Sequence, residues 1–110
     1  MAPIKLLSWN VNGIRAAEKK GFLDWLAASG GEVVAIQETK AHPDQLSPAL
    51  LAPPGYSAAW AAAEKKGYSG VVTYARRPVQ RTLTGLADPR FDADGRVLIS
   101  EFDQFVFLNC

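Results

Sequence analysis

Two apolar runs, Ile4 to Asn10 and Val33 to Ile36, bracket a helical pattern, and that order restricts the fold more than any other feature of the chain. The first run carries Ile4, Leu6 and the aromatic Trp9 and predicts a strand. Asn12-Gly13 interrupts it with turn chemistry. From Ala16 to Ala28, the apolar residues Phe22, Leu23, Trp25 and Leu26 recur at helical spacing, so a helix is expected. Gly21 weakens this helix and splits it into two turns, and Gly30-Gly31 ends it. The continuous run Val33-Val34-Ala35-Ile36 fits a strand buried on both faces. Strand, helix and strand in this order predict parallel neighbours joined by a right-handed crossover. Both strands then end on one edge of the sheet, the edge where open α/β sheets collect ligands. The first strand ends at Trp9-Asn10-Val11-Asn12 and the second at Gln37-Glu38-Thr39-Lys40, so topology alone brings Asn10, Asn12 and Glu38 together.

The remaining pattern is mostly strands. A proline-rich loop after Lys40 holds a short helical piece from Gln45 to Leu51. Tyr56 to Ala61, Val71 to Tyr74 and Gln80 to Leu83 read as strands, with Gly67-Tyr68-Ser69-Gly70 a tight loop before the second of them. Asp88 to Gly95 reads as a polar loop. Val97 to Phe102 and Phe105 to Leu108 form a hairpin across Asp103-Gln104, the latter strand being buried. A βαβ unit followed by mainly antiparallel strands predicts a mixed sheet of the α/β (α+β) class, with residues 1–110 forming part of a single domain.

Composition excludes several classes. A hydrophobic fraction of 48% with 21% charged residues fits an ordinary globular chain. The net charge of +1 says little about nucleic acid, because local patches matter more than the sum. The pairs Lys19-Lys20, Lys65-Lys66 and Arg76-Arg77 are, taken alone, solvated surface. The one cysteine, Cys110, builds neither a disulfide framework nor a zinc site within the chain. No secretory leader and no membrane-length apolar stretch is legible, so a cytoplasmic location without membrane contact is expected. The run Phe105 to Cys110 ends the chain inside a strand, which reads as a fragment.

A carboxylate at a strand end beside two asparagines suits a hard divalent cation. Glu38 is a candidate ligand, and Asn10 and Asn12 are candidates either to ligate or to hold Glu38 and a phosphate by hydrogen bonds. On spacing alone, a helix-capping or surface carboxylate accounts for Glu38 equally well.

The strings WNVNGIRA (Trp9 to Ala16), IQETK (Ile36 to Lys40), GYSGV (Gly67 to Val71) and GRVLISEFDQF (Gly95 to Phe105), in this order, resemble the exonuclease III and abasic-site endonuclease family. The wider superfamily of endonucleases, exonucleases and phosphatases shares the asparagine and the glutamate. The GYSGV loop and the QETK ending favour its DNA-repair branch over inositol-phosphate phosphatases or sphingomyelinases.

The resemblance implies a four-layer sandwich of two sheets flanked by helices, of which this chain is the amino-terminal part. It implies a DNA-repair nuclease that uses Mg2+, or Mn2+ in its place. The partner is double-stranded DNA bearing abasic sites or 3′ ends. The full-length protein is expected to be a monomer, nucleoid-associated in a bacterium or nuclear in a eukaryote. Glu38 resembles the family's metal-binding glutamate, Asn10 its asparagine beside the metal, and the two are the catalytic candidates. Asn12 stands where relatives carry aspartate or asparagine. Arg15, Gly67 and Tyr68 fall where relatives contact the DNA backbone, and Lys40 is placed to meet a phosphate. The family's water-activating aspartate and its closing aspartate–histidine pair have no counterpart here, so the chain alone is expected to be inactive. His42 lies in a loop and is read as a satisfied surface residue. Trp9 and Trp25 are read as packing residues, and Trp60 is undecided. The alternatives are another metal-dependent phosphoesterase of the superfamily, acting on a lipid or inositol phosphate, and a non-catalytic DNA-binding fragment.

Overall fold

The structure, a computed structural model, describes residues 3–110, and the side chains of Pro89 and Phe91 are outside the description. The first strand, β1 (Leu6–Asn10), leads into two short helices, α1 (Ile14–Lys19) and α2 (Phe22–Ala28). Gly21 separates them at φ 100°, a left-handed conformation that glycine adopts without steric cost. The expected split of the helix is therefore real. β2 (Val33–Gln37) follows and pairs in parallel with β1, from Leu6 opposite Val33 to Asn10 opposite Gln37.

A 3-10 turn (Pro43–Gln45) headed by His42 and the short helix α3 (Pro48–Leu51) occupy the proline-rich loop. Ser47 caps α3 by accepting from Leu50 N at 3.2 Å. β3 (Ser57–Ala61) and β4 (Val71–Ala75) pair antiparallel, and β4 also pairs antiparallel with β2. These strands make one sheet in the order β1-β2-β4-β3. A second sheet, β5-β6-β7, consists of β5 (Arg81–Thr84), β6 (Leu98–Glu101) and β7 (Val106–Asn109), all antiparallel.

The first sheet is covered on both sides. Toward the helices, Val34, Ile36, Val72 and Tyr74 meet Ile14, Phe22, Leu26 and Leu50. Toward the second sheet, Val33 and Ala75 meet Phe102 and Phe107, and Ala61 and Val71 meet Leu98. This explains why β2 and β4 read as unbroken apolar runs: neither has a solvent face. Asn109 is the polar exception at the contact between the sheets. It is 1% exposed, donates to Val72 O at 2.8 Å and Ile36 O at 3.3 Å, and accepts from Gln37 Nε2 at 2.9 Å.

Two expectations need correction. The strand at Phe105 to Leu108 is not buried as a whole: Val106 and Leu108 are each 56% exposed. β7 is the last strand of its sheet, and only its inward residues, Phe107 and Asn109, meet the first sheet. Trp9 packs as expected, though at the sheet edge. It is 40% exposed on the edge strand β1 and rests against Phe22 and Trp25, with ring centroids at 5.9 and 4.9 Å. Asp88 to Gly95 is not a plain loop: it holds a helical turn, α4 (Pro89–Asp92), closed by Asp92 N donating to Asp88 O at 3.0 Å. Trp60 packs edge-on against Tyr74 at 6.1 Å, a core role. Among the described residues, no helix is long and apolar enough to cross a membrane.

Candidate metal and phosphate site

Beyond the paired ends of β1 and β2, the backbone leaves the extended region. Asn12, Glu38, Lys40 and Ser69 all have positive φ, at 50°, 54°, 53° and 48°. Each such residue carries strain of about 1–2 kcal/mol and persists only where its surroundings hold it. Here the hold is a set of backbone hydrogen bonds on both sides of Glu38–Lys40. From the loop after β1, Gly13 N donates to Glu38 O at 2.8 Å and Ile14 N to Thr39 O at 3.0 Å. On the other side, Thr39 N donates to Gly70 O at 3.1 Å and Lys40 N to Ser69 O at 2.8 Å. Thus the three motif strings that lie far apart in the sequence are laced into one rigid edge.

The side chains follow from this frame. Asn10 Nδ2 donates to Glu38 Oε2 at 2.5 Å, while Asn10 Oδ1 accepts from Asn12 N at 3.1 Å. The two contacts together set the orientation of the Asn10 amide and commit both its ends. Lys40 Nζ donates to Asn12 Oδ1 at 2.5 Å and lies 3.8 Å from Glu38 Oε1. The side chains of Lys40 and Glu38 are 39% and 44% exposed, so the cluster opens to solvent.

A cleft of about 470 Å³ runs past Asn10, Gln37, Glu38, Ser69, Arg96 and Cys110. Beside it, a groove of about 450 Å³ is lined by Gly13, Arg15, Lys19, Lys40 and Gly67. Arg15 Nη2 donates to Lys40 O at 3.2 Å, which binds the groove to the edge. Tyr68 is 41% exposed, and its hydroxyl accepts from Arg96 Nη2 at 2.6 Å.

Of the residues singled out from the sequence, Asn10, Asn12, Glu38 and Lys40 form one hydrogen-bonded cluster, and Arg15 and Gly67 line the adjoining groove. Tyr68 lies outside that cluster, and its hydroxyl accepts from Arg96, which lines the Glu38 cleft. Arg96 and Lys19 were missed as site residues. Arg96 stands just before β6, in the second sheet, and no local pattern places it beside Glu38. The Asp94 carboxylate, at 3.1 Å from its Nε, moves its pKa further up and keeps it charged.

The donor set suits a hard cation. Glu38 supplies one carboxylate and Asn12 an amide oxygen, and a positive charge, the Lys40 ammonium, already faces both oxygens. Among the described residues no group of three or more His, Cys, Asp or Glu side chains stands ready for a metal. Oxygen ligands of this kind, one carboxylate and one amide, are those a hard, partly hydrated divalent cation takes.

A sequence profile of the Endonuclease/Exonuclease/phosphatase family matches residues 7–110. The chain belongs to this family. Among members of the family, the exodeoxyribonuclease of Bacillus subtilis is 37% identical over 101 residues, covering 91% of this chain and 39% of that protein. The DNA repair nuclease APEX1 of Danio rerio is 36% identical over 110 residues, covering 98% of this chain and 36% of that protein. The chain therefore spans well under half the length of these family members. A solved 3′ phosphatase from Neisseria, bound to a product DNA hairpin, superposes with a TM-score of 0.81 at 24% identity, over 96% of this chain and 40% of that one. That likeness shows that the mixed two-sheet fold of this chain is shared with the solved structure.

Proposed function

We propose that the chain forms part of the active site of a magnesium-dependent DNA-repair nuclease, one that hydrolyses phosphodiester bonds at abasic sites and from 3′ ends. The observation that carries this reading is the cluster of Asn10, Asn12, Glu38 and Lys40 on the sheet edge, set against a groove lined by Arg15 and Lys19. A bound Mg2+ would supply charge neutralisation at the phosphate and the leaving oxygen. Glu38 and Asn12 would hold that ion with their side-chain oxygens, and Asn10 keeps the Glu38 carboxylate aimed by donating to Oε2. Arg15, Lys19 and Lys40 bind backbone phosphates along the groove, with Gly67 at its rim. Tyr68 packs its ring and hydroxyl against Arg96, which lines the cleft, and is exposed for contact with the DNA backbone. A run of cations along an open groove favours an extended polyanion over a small inositol phosphate. The relatives named for acting on DNA support the same choice.

Hydrolysis also needs a base near the attacking water, and the cluster on this edge contains only one carboxylate, Glu38. The 110-residue chain alone is therefore expected to bind duplex DNA without cutting it. The test compares cleavage of a duplex carrying an abasic-site analogue, with Mg2+ or with a chelator, between this chain and any extension encoded with it. Magnesium-dependent incision by the extended protein, and its loss in Glu38→Ala with the fold intact, is the expected result. Incision that is unchanged by Glu38→Ala across a magnesium titration removes Glu38 from the metal site and defeats the reading.

A further inference from the structure

Lys40 belongs to two neighbouring sites. Its ammonium lies 2.5 Å from Asn12 Oδ1 and 3.8 Å from Glu38 Oε1, the oxygens left open after Asn10 has taken Glu38 Oε2. The same residue lines the groove formed with Gly13, Arg15, Lys19 and Gly67. Its backbone has no freedom to choose between them. The N–H donates to Ser69 O at 2.8 Å, the carbonyl accepts from Arg15 at 3.2 Å, and φ is held at 53°. What remains mobile is the flexible four-carbon stem with its strongly hydrated ammonium. The side chain is 39% exposed, so moving the stem from cluster to groove disturbs no packed core.

We infer that Lys40 is a built-in counter-cation: it competes with the divalent ion for Glu38 and Asn12, and metal binding drives its ammonium into the groove, where it joins Arg15 and Lys19 on a DNA phosphate. This rests on the reading of Glu38 as a metal ligand. A divalent ion and an ammonium repel at the short separation that sharing one carboxylate oxygen imposes. Placed against both oxygens, the Lys40 ammonium neutralises Glu38 and satisfies the Asn12 amide oxygen. The consequence is coupling between ligands. Metal releases Lys40 toward a phosphate, and a phosphate that draws Lys40 away frees the oxygens for metal. Linkage requires each ligand to strengthen the other by the same factor.

The test uses Mn2+ as the probe, with its free concentration read by electron paramagnetic resonance and no catalysis involved. The variants are Lys40→Met, Lys40→Arg, Glu38→Gln and the double variant with Lys40→Met and Glu38→Gln. Lys40→Met is expected to bind Mn2+ about tenfold more tightly than the unaltered chain, a coupling of typical size. Lys40→Arg, which keeps the charge, stays as weak as the unaltered chain, and the double variant loses the site. Adding a phosphorothioate duplex tightens Mn2+ binding in the unaltered chain, and this gain shrinks in Lys40→Met. Should Lys40→Met unfold, Lys40→Gln repeats the measurement while keeping a polar stem. Glu38-dependent Mn2+ binding that is equal or weaker in the uncharged variants overturns the inference while leaving the metal reading standing. No Glu38-dependent binding in any variant overturns both.

Discussion

At Gly70 a β-carbon would stand 2.3 Å from Thr39 Oγ1, on a backbone at φ +90°. Thr39 is buried and sits between Glu38 and Lys40, so a side chain at position 70 pushes directly on the cluster. Gly70→Ala is expected to cost about 2–3 kcal/mol, from steric overlap and an unfavourable φ together. The midpoint of urea unfolding measures it, and an unchanged midpoint refutes the packing argument. Tyr74 gives a second residue-scale prediction. Its hydroxyl is buried and donates to Leu50 O at 2.7 Å. Burial, and to a lesser degree the nearby Glu18 carboxylate, push the phenol well above the usual tyrosine value. The folded chain therefore keeps this proton at alkaline pH, where the unfolded chain releases it. Stability is fully present below about pH 10 and falls as pH rises beyond it, by up to about 1.4 kcal/mol per pH unit. Unfolding free energies measured between neutral and strongly alkaline pH check the slope, which flattens in Tyr74→Phe.

At the scale of elements, β7 joins two roles on opposite faces. Its inward Asn109 fastens the second sheet to β2 and β4, and through Gln37 it reaches Ser8 on β1, where Gln37 Nε2 donates at 3.0 Å. Asn109→Leu removes the donor to the Ile36 and Val72 carbonyls and one of the two acceptors of the Gln37 amide. The expected loss is about 2–4 kcal/mol, read from chemical denaturation. Because Gln37 directly precedes Glu38, the same change also loosens the site, whereas a purely local role for Asn109 would leave Mn2+ affinity untouched. The outward face of the sheet carries Leu83, Val106 and Leu108, exposed by 39%, 56% and 56%, around Ile99. An apolar stripe of this kind binds hydrophobic dyes and promotes association. Replacing Leu108 with Lys is expected to reduce dye binding while shifting stability by no more than about 0.5 kcal/mol, since little is buried there.

For the whole molecule, charge placement matters more than charge total. The net charge is only +1, yet Arg15, Lys19 and Lys40 meet along one groove. DNA affinity is therefore expected to fall with salt, and Arg15→Ala or Lys19→Ala to reduce the slope of log affinity against log salt by about 1 each. An unchanged slope in both variants places the DNA elsewhere on the surface.

The parallel pair β1–β2 and the meeting of Asn10, Asn12 and Glu38 were legible because they rest on chain order and apolar periodicity. Both are local properties, and the parallel pairing of β1 with β2 converts them into a shared edge. The split at Gly21 was legible for the same reason, since glycine's lack of a β-carbon is a property of the residue itself. What escaped the sequence depends on neighbours that arrive from elsewhere. Arg96 reaches the Glu38 cleft only because the second sheet packs on the first. Asn109 reads as one polar residue at the end of an apolar run, and only the facing carbonyls of Ile36 and Val72 make it a fastening between sheets. The exposure of Val106 and Leu108 was misread because apolar identity records what a face prefers, whereas position at the edge of a sheet decides what that face meets. The left-handed backbone at Asn12, Glu38 and Lys40 belongs to the tertiary structure too. None of these residue types demands positive φ, and only the hydrogen bonds from the loops on either side make it the stable choice.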